Sequence, residues 1–252
     1  MATPLAIDFL GHSSALVELD GARILTDPAL RSRIGPLLRT VAPPPGGHVE
    51  APDIVLVSHL HWDHLDLPSL RAVGRDARIL VPAGAGEWLR GRGFEHVTEL
   101  AAGASVAVGG LTIEAVPAEH SGFRPPFGPS ADAVGYVVRG RQSLYFAGDT
   151  DLHPAMRDLE GIDVALLPVW GWGPTLGRGR HLDPLRAAQA ARMIGAPTVV
   201  PIHWGTYWPI GLERIRPHLL ADPPRDLVRI AAELAPDVRV LPTEIGERVA
   251  LG

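Results

Sequence analysis

Cysteine is absent from the 252 residues. That excludes disulfides, thiolate-bound zinc and iron–sulfur clusters. Lysine is absent too: all 23 basic side chains are arginine, which excludes Schiff-base lysines and the lysine of a phosphate-binding loop. No apolar run reaches the roughly 18 residues of a membrane span. The segment Met1–Asp8 lacks the positive flank and long apolar core of a signal peptide. These absences predict a soluble, cytoplasmic protein with no stable membrane anchor. Basic charge is also in short supply, with 28 acidic against 23 basic residues and a net charge of −5. Broad binding to nucleic acid needs the opposite balance. Glycine and proline, by contrast, are plentiful and lie scattered between apolar runs, the pattern of short strands and many loops. The length suits one or two domains with a real core.

Two similar halves are visible, about 1–125 and 126–252, read as one domain over 1–252. The first opens with Ser14–Leu19, Asp20-Gly21 and Ala22–Asp27, a hairpin signal. Asp53–His59 is a continuous apolar run of the kind buried on both faces. A short helix over Pro68–Val73 ends at Gly74, and Ala77–Val81 is the next strand. In the second half Ala133–Val138 leads to Ser143–Asp149, and Asp163–Leu167 is the counterpart of the Asp53 run. A helix follows, with Asp183 as N-cap, Pro184 in its first position and Gly195 past its end. Pro197–His203 is the closing strand. Leu227, Ile230, Ala231 and Leu234 form an amphipathic helical stripe before a last strand near Val238–Leu241. The order predicts two strand-rich layers back to back with helices outside. Arg31–His48, with Pro43-Pro44-Pro45-Gly46-Gly47, reads as a long loop that could cover a cleft.

The chemistry concentrates in His59-Leu60-His61-Trp62-Asp63-His64, directly after a buried strand. In an extended segment His59 and His61 point the same way, and Asp63 and His64 come at the following turn. A chance match of this pattern is on the order of one in a thousand for this composition, so the motif is specific. His120, Asp149 and His203 each lie where a strand runs out. Together the five His and two Asp suffice for two cations. A water shared by two such cations loses a proton near neutral pH, giving a hydroxide nucleophile.

These residues resemble the metallo-β-lactamase fold superfamily over nearly the whole chain. The His-x-His-x-Asp-His signature is His59–His64, and His120, Asp149 and His203 match the later ligands in order. Within that superfamily Gly11-His12-Ser13-Ser14, Leu25-Thr26-Asp27-Pro28, Gly148-Asp149-Thr150 and Ile202-His203-Trp204-Gly205-Thr206-Tyr207 are similar to the branch of L-ascorbate-6-phosphate lactonase and N-acyl-phosphatidylethanolamine phospholipase D. The resemblance implies a four-layer αββα sandwich of the α/β class. It implies one metal on His59, His61 and His120, another on Asp63, His64 and His203, and Asp149 between them. Zinc suits these nitrogen and oxygen donors best, with manganese or iron compatible. The implied activity is hydrolysis of a small-molecule lactone, phosphate ester or phosphodiester by a metal-bridged hydroxide.

Other residues carry weaker signals. Asp63 and His181 are the catalytic candidates; His181, two residues before the Asp183 cap, could bind substrate or protonate a leaving group. Asp27 could orient a ligating His, and His12 could reach the site. Trp170 or Trp172 could line an apolar pocket. Arg178 and Arg180 could engage a phosphate or carboxylate, although a solvated loop explains them more simply. His48, His96, His153 and His218 read as surface residues. An iron-dependent redox enzyme on the same scaffold needs a carboxylate in place of one His, which the chain does not clearly supply. A nuclease is disfavoured by the charge, and a non-catalytic protein by the intact ligand set.

Overall fold

The computed structural model describes residues 4–42, 49, 51–170, 179–211 and 217–251. Two large sheets and one small one account for its strands. The first sheet contains β1 (Leu5–Gly11), β2 (Ser14–Leu19), β3 (Ala22–Thr26), β6 (Ile54–Leu56), β7 (Arg78–Pro82), β8 (Val97–Leu100) and β17 (Arg248–Leu251). Their spatial order is β17-β1-β2-β3-β6-β7-β8. The second contains β9 (Ser105–Val108), β10 (Leu111–Pro117), β11 (Val134–Arg139), β12 (Ser143–Phe146), β13 (Val164–Pro168), β14 (Thr198–Ile202) and β16 (Arg239–Val240). Its order is β16-β14-β13-β12-β11-β10-β9.

Side-chain alternation along the strands builds the layers. Ile54 and Leu56 join the main core with Phe9, Ile113 and Val137, so the two sheets face one another there. Val55 and Val57 point the other way, into a second core with Leu70, Val73 and Leu89. Those residues belong to or adjoin helices α1 (Leu67–Ala72) and α2 (Gly86–Arg90) on the outer face of the first sheet. Helices α3 (Pro184–Ile194) and α4 (Asp222–Leu234) put Ala187, Ala191, Leu227 and Ala231 into the main core. The result is the αββα sandwich expected. Strand β13 is buried at every position and lies between parallel neighbours, which explains its unbroken apolar reading.

Two corrections concern organisation. The chain passes from the first sheet to the second between Leu100 and Ser105, not near 125, because β9 and β10 hydrogen-bond onward to β11. It then returns at the end, where β17 pairs antiparallel with β1. Nor is Arg31–His48 simply a loop. β4 (Arg33–Ile34) and β5 (Leu37–Arg39) form a hairpin, and β15 (Tyr207–Pro209) adds to it as a three-stranded sheet. Residues 43–48 lie outside the described residues. No helix among the described residues is long and apolar enough to cross a membrane.

Strand direction positions the site. β1 and β3 both run antiparallel to β2, and β6 runs parallel to β3. β10 and β12 both run antiparallel to β11, and β13 and β14 continue parallel to β12. The carboxyl ends of β1, β3, β6, β10, β12, β13 and β14 therefore face one edge of the sandwich, where loops carry function on a rigid frame.

Helix α3 follows its sequence signals. Asp183 accepts the Arg186 N–H at 2.9 Å, Pro184 stands in the first turn, and Gly195 ends the helix at φ 69°. Removing such a cap exposes an unsatisfied N–H and costs about 1 kcal/mol. Asp183→Ala is expected to lower unfolding free energy by about that amount in urea titration, without changing the fold.

Candidate metal centre

The segment after β6 turns once: His64 and Leu65 both donate their backbone N–H to the His61 carbonyl, at 3.2 and 2.8 Å. This brings His59 and His61 to one side and Asp63 and His64 to the other. His59 Nε2 stands 2.9 Å from His61 Nδ1, and His120 Nε2, from the end of β10, stands 3.2 Å from the same nitrogen. Ligands about 2.0–2.1 Å from one tetrahedral ion lie about 3.3–3.4 Å apart, so this cluster has the size of one coordination shell. Asp63, His64, His203 and His12 form a second group, their donor atoms within 4.8 Å of one another.

Asp149, after β12, lies between the groups. Its Oδ2 is 3.2 Å from His64 Nε2 and 3.9 Å from His120 Nε2, and its Oδ1 is 3.3 Å from His203 Nε2. The turn that delivers it requires glycine. Gly148 has φ +60°, and a Cβ there would fall 2.3 Å from the Ser58 Cβ. Only the missing side chain lets this turn rest on the β6 end.

The outer faces of the imidazoles are held as well. Asp27 is fully buried after β3; it accepts His64 Nδ1–H at 2.7 Å, Ser58 N–H at 2.7 Å and the Ser58 hydroxyl at 2.5 Å. Because Ser58 Oγ donates to Asp27, it accepts from His59 Nδ1, 3.0 Å away. One carboxylate therefore orients a His of each group, directly and through a hydroxyl. His203 Nδ1 donates to the Trp170 carbonyl at 2.7 Å and His120 Nδ1 to the Arg180 carbonyl at 2.9 Å. With these outer nitrogens protonated, the inner ones present lone pairs, the arrangement that metal-binding imidazoles need.

Charge follows from burial. Burial holds His12 neutral, its pKa pushed down to about 3, and lowers His120 to about 4. It also lowers His59 and His61. Neutral imidazole is the form that ligates. Burial opposes ionisation of Asp149 and Asp63, but the imidazoles around them outweigh it and hold both carboxyls well below the usual range. His64 moves the other way: burial disfavours its charge, yet Asp149 and Asp63 outweigh that and raise it. Acids that draw a proton onto His64 also draw a cation.

The residues fit a metal on structural grounds. His64 Nε2 and Asp149 Oδ1 are buried and make no hydrogen bond among the described residues, whereas buried polar atoms are ordinarily satisfied. All donors are imidazole nitrogens or carboxylate oxygens, a set suited to zinc, manganese or iron.

The structure also locates the weaker candidates. His181 sits beside the centre, its Nε2 3.1 Å from Asp149 Oδ2. His12 Nε2 lies 3.1 Å from Asp63 Oδ2. Trp170 contributes its carbonyl; its ring is 5% exposed and stacks on Trp208 at 5.1 Å, so it packs rather than lining an open pocket. Arg180 is exposed and also contributes its carbonyl. Trp172 and Arg178 lie outside the described residues, as does His48. His96 is exposed, while His153 is half-buried. Sequence reasoning missed Ser58, whose place immediately before His59 was the available signal. It also missed Arg124, whose guanidinium donates to the Leu60 and Leu65 carbonyls at 2.8 and 2.9 Å and braces the ligand turn. Nothing in the local sequence around Arg124 announces that contact.

Comparison with known proteins identifies the family. The family model described as the Beta-lactamase superfamily domain matches residues 22–204. The chain belongs to that superfamily. Its fold is the metallo-β-lactamase fold. A UPF0173 metal-dependent hydrolase of Methanopyrus kandleri is 35% identical, over 96% of this chain and 98% of its own length. The N-acyl-phosphatidylethanolamine-hydrolyzing phospholipase D 1 of Caenorhabditis elegans is 31% identical over 81% of this chain. The chain spans 64% of that enzyme, and 65% of a Mycobacterium tuberculosis relative that is 34% identical to it. Among solved structures, the metallo hydrolase Igni18 of Ignicoccus hospitalis shares the fold with a TM-score of 0.77, 24% identity and 99% coverage of both chains.

In this β-lactamase superfamily member Asp27 is the support common to both groups. Outer partners of this kind are worth roughly 10–100-fold in metal affinity. Asp27→Asn is expected to leave the circular dichroism spectrum unchanged and to weaken zinc binding by about that factor, measured by competition with a chromophoric chelator.

Proposed function

We propose that the chain holds two divalent ions, zinc by preference, and hydrolyses a small-molecule ester, with a phosphodiester as the favoured substrate and a lactone second. The observation that carries the two-ion reading is the position of Asp149, within 3.9 Å of His120 on one side and of His64 and His203 on the other. One ion would take His59, His61 and His120, and the other Asp63, His64 and His203, with Asp149 shared. The preference for a phosphodiester is supported by the 31% identity to a phospholipase D, an enzyme of that bond class.

Ions held there would lower the pKa of water toward neutrality and offset negative charge on the attacked oxygen. The chain's own residues do the rest. Ser58, Asp27 and the Trp170 and Arg180 carbonyls fix the imidazoles before substrate arrives, so little reorganisation accompanies reaction. His181 is held at Nε2 by Asp149. Burial works against its charge, but Asp149 outweighs burial and raises its pKa; we assign to this imidazole, by its place beside the shared carboxylate, the role of giving a proton to the leaving oxygen. The all-imidazole composition of the His59, His61 and His120 group lacks the added carboxylate expected of an iron redox site. The net charge of −5 favours a small substrate over nucleic acid, and we place the protein in the cytoplasm.

Metal-reconstituted protein should be assayed on a bis-aryl phosphodiester, an aryl phosphomonoester and an aliphatic lactone. The expected result is preferential diester cleavage, lost on chelation and in Asp149→Ala. Turnover of none of the three, or activity that survives Asp149→Ala, would overturn the reading. His181→Ala should lower kcat by about 10²–10⁴-fold while metal content per chain stays the same; unchanged kcat would remove the proton-donor role.

A further inference from the structure

His12 has no place in the ligand motif, yet its contacts select one side of the centre. It follows β1 with φ 56°, and His203 follows β14 with φ 60°. The two are joined through the backbone, where the His203 N–H donates to the His12 carbonyl at 2.7 Å. His12's own N–H donates to Thr206 Oγ1 at 2.6 Å. Its ring lies 4.0 Å from the His203 ring and 5.1 Å from the His64 ring, with Tyr207 edge-on at 5.4 Å. Its Nε2 is 3.1 Å from Asp63 Oδ2. Asp63, His64 and His203 are thus all touched by His12. Among the described residues His12 makes no such contact with His59, His61 or His120.

The direction of the side-chain hydrogen bond follows from its partner. An ionised carboxylate only accepts, so the proton is on His12 Nε2 and the nitrogen donates to Asp63. A nitrogen that donates to a carboxylate does not at the same moment offer a lone pair to a cation. The oxygen so held, Oδ2, is also the one that lies 3.9 Å from His64 Nε2; the hydrogen bond fixes the plane of the carboxylate and leaves that oxygen a further lone pair for an ion, which is how outer partners orient oxygen ligands.

We infer that His12 is a positioning residue for the Asp63, His64 and His203 group alone. It steers the Asp63 carboxylate through Nε2–H and sets His203 through its carbonyl, so that affinity for one ion depends on His12 and affinity for the other does not. The inference rests on the two-ion reading proposed above. It makes loading of the centre asymmetric: the imidazole group built on β6 and β10 is independent of the β1 end, and the mixed group is not.

Two substitutions test this. His12→Asn suits the left-handed backbone, but its shorter amide stops short of Asp63. His12→Gln carries an amide N–H out to the position of the imidazole Nε2 and is a poor metal ligand. Full-length wild type and both variants should be stripped of metal and titrated with zinc against a chromophoric chelator. Zinc per chain should be counted in parallel and melting temperatures recorded. The expected result is two ions per wild-type chain. In His12→Asn the first affinity should stay within about twofold and the second should fall about 10–100-fold. His12→Gln should recover most of that loss. Equal weakening of both ions with a lowered melting temperature would assign His12 to the fold and overturn the inference. Unchanged binding in His12→Asn would overturn it too. A glutamine variant no better than asparagine would make His12 a direct ligand and overturn the positioning role. A wild-type chain that binds one ion would overturn the two-ion reading itself, a result separable from the others because it appears before any substitution.

Discussion

The centre depends on strands that share a direction. β1, β3 and β6 of one sheet and β10, β12, β13 and β14 of the other release their chain at one edge. His12, Asp27, His59–His64, His120, Asp149, His181 and His203 all lie in the segments that follow. Each sheet supplies an incomplete set. The first provides most of the imidazoles; the second provides Asp149 and the closing histidines. The apolar face between the sheets, from Phe9 to Val137, fixes their separation, and this packing holds the polar edge in register. A rigid close-packed interior transmits such positioning with little slack.

Concentrating imidazoles and carboxylates at a buried edge is electrostatically expensive, and the structure shows how the expense is contained. Asp27 is fully buried, and burial raises its pKa, yet it is met by three donors. Asp149 has acidic character because imidazoles surround it. Strain is accepted as well: His12, Asp27 and His203 all adopt positive φ, a conformation that non-glycine residues hold only where the surroundings over-determine it. A site with these features is poised for cations before any are considered, since the same field that binds a proton on His64 attracts a metal.

What the sequence disclosed and what it hid divide along contact range. The ligand motif was legible because His59–His64 are contiguous and their geometry is set by one strand end and one turn. Helix α3 was legible because Asp183, Pro184 and Gly195 are local signals with local causes. The pairing of β1 with β17 was not, since Leu5 and Leu251 meet across nearly the whole chain and Asp8 breaks the apolar pattern of β1 until Arg248 reaches it at 2.6 Å. The hairpin at β4–β5 was hidden for the same reason: it is completed by β15, far along the sequence. Trp170 shows a subtler failure. Its type suggested a pocket wall, whereas its backbone carbonyl is what touches the centre, and backbone roles leave no residue-type signature.

The return of the chain to its starting sheet has a consequence for biosynthesis. β1 is flanked by β2 on one side and by β17 on the other, and β17 spans Arg248–Leu251. A chain emerging from the ribosome can pair β1 with β2 early, but its other edge stays open until those residues leave the exit tunnel. Unpaired edges invite foreign strands, so the nascent polypeptide passes through an interval of vulnerability that lasts until β17 has been translated. Loss of β17 would uncover the very strand that leads into His12, linking the integrity of Arg248–Leu251 to chemistry encoded more than two hundred residues earlier.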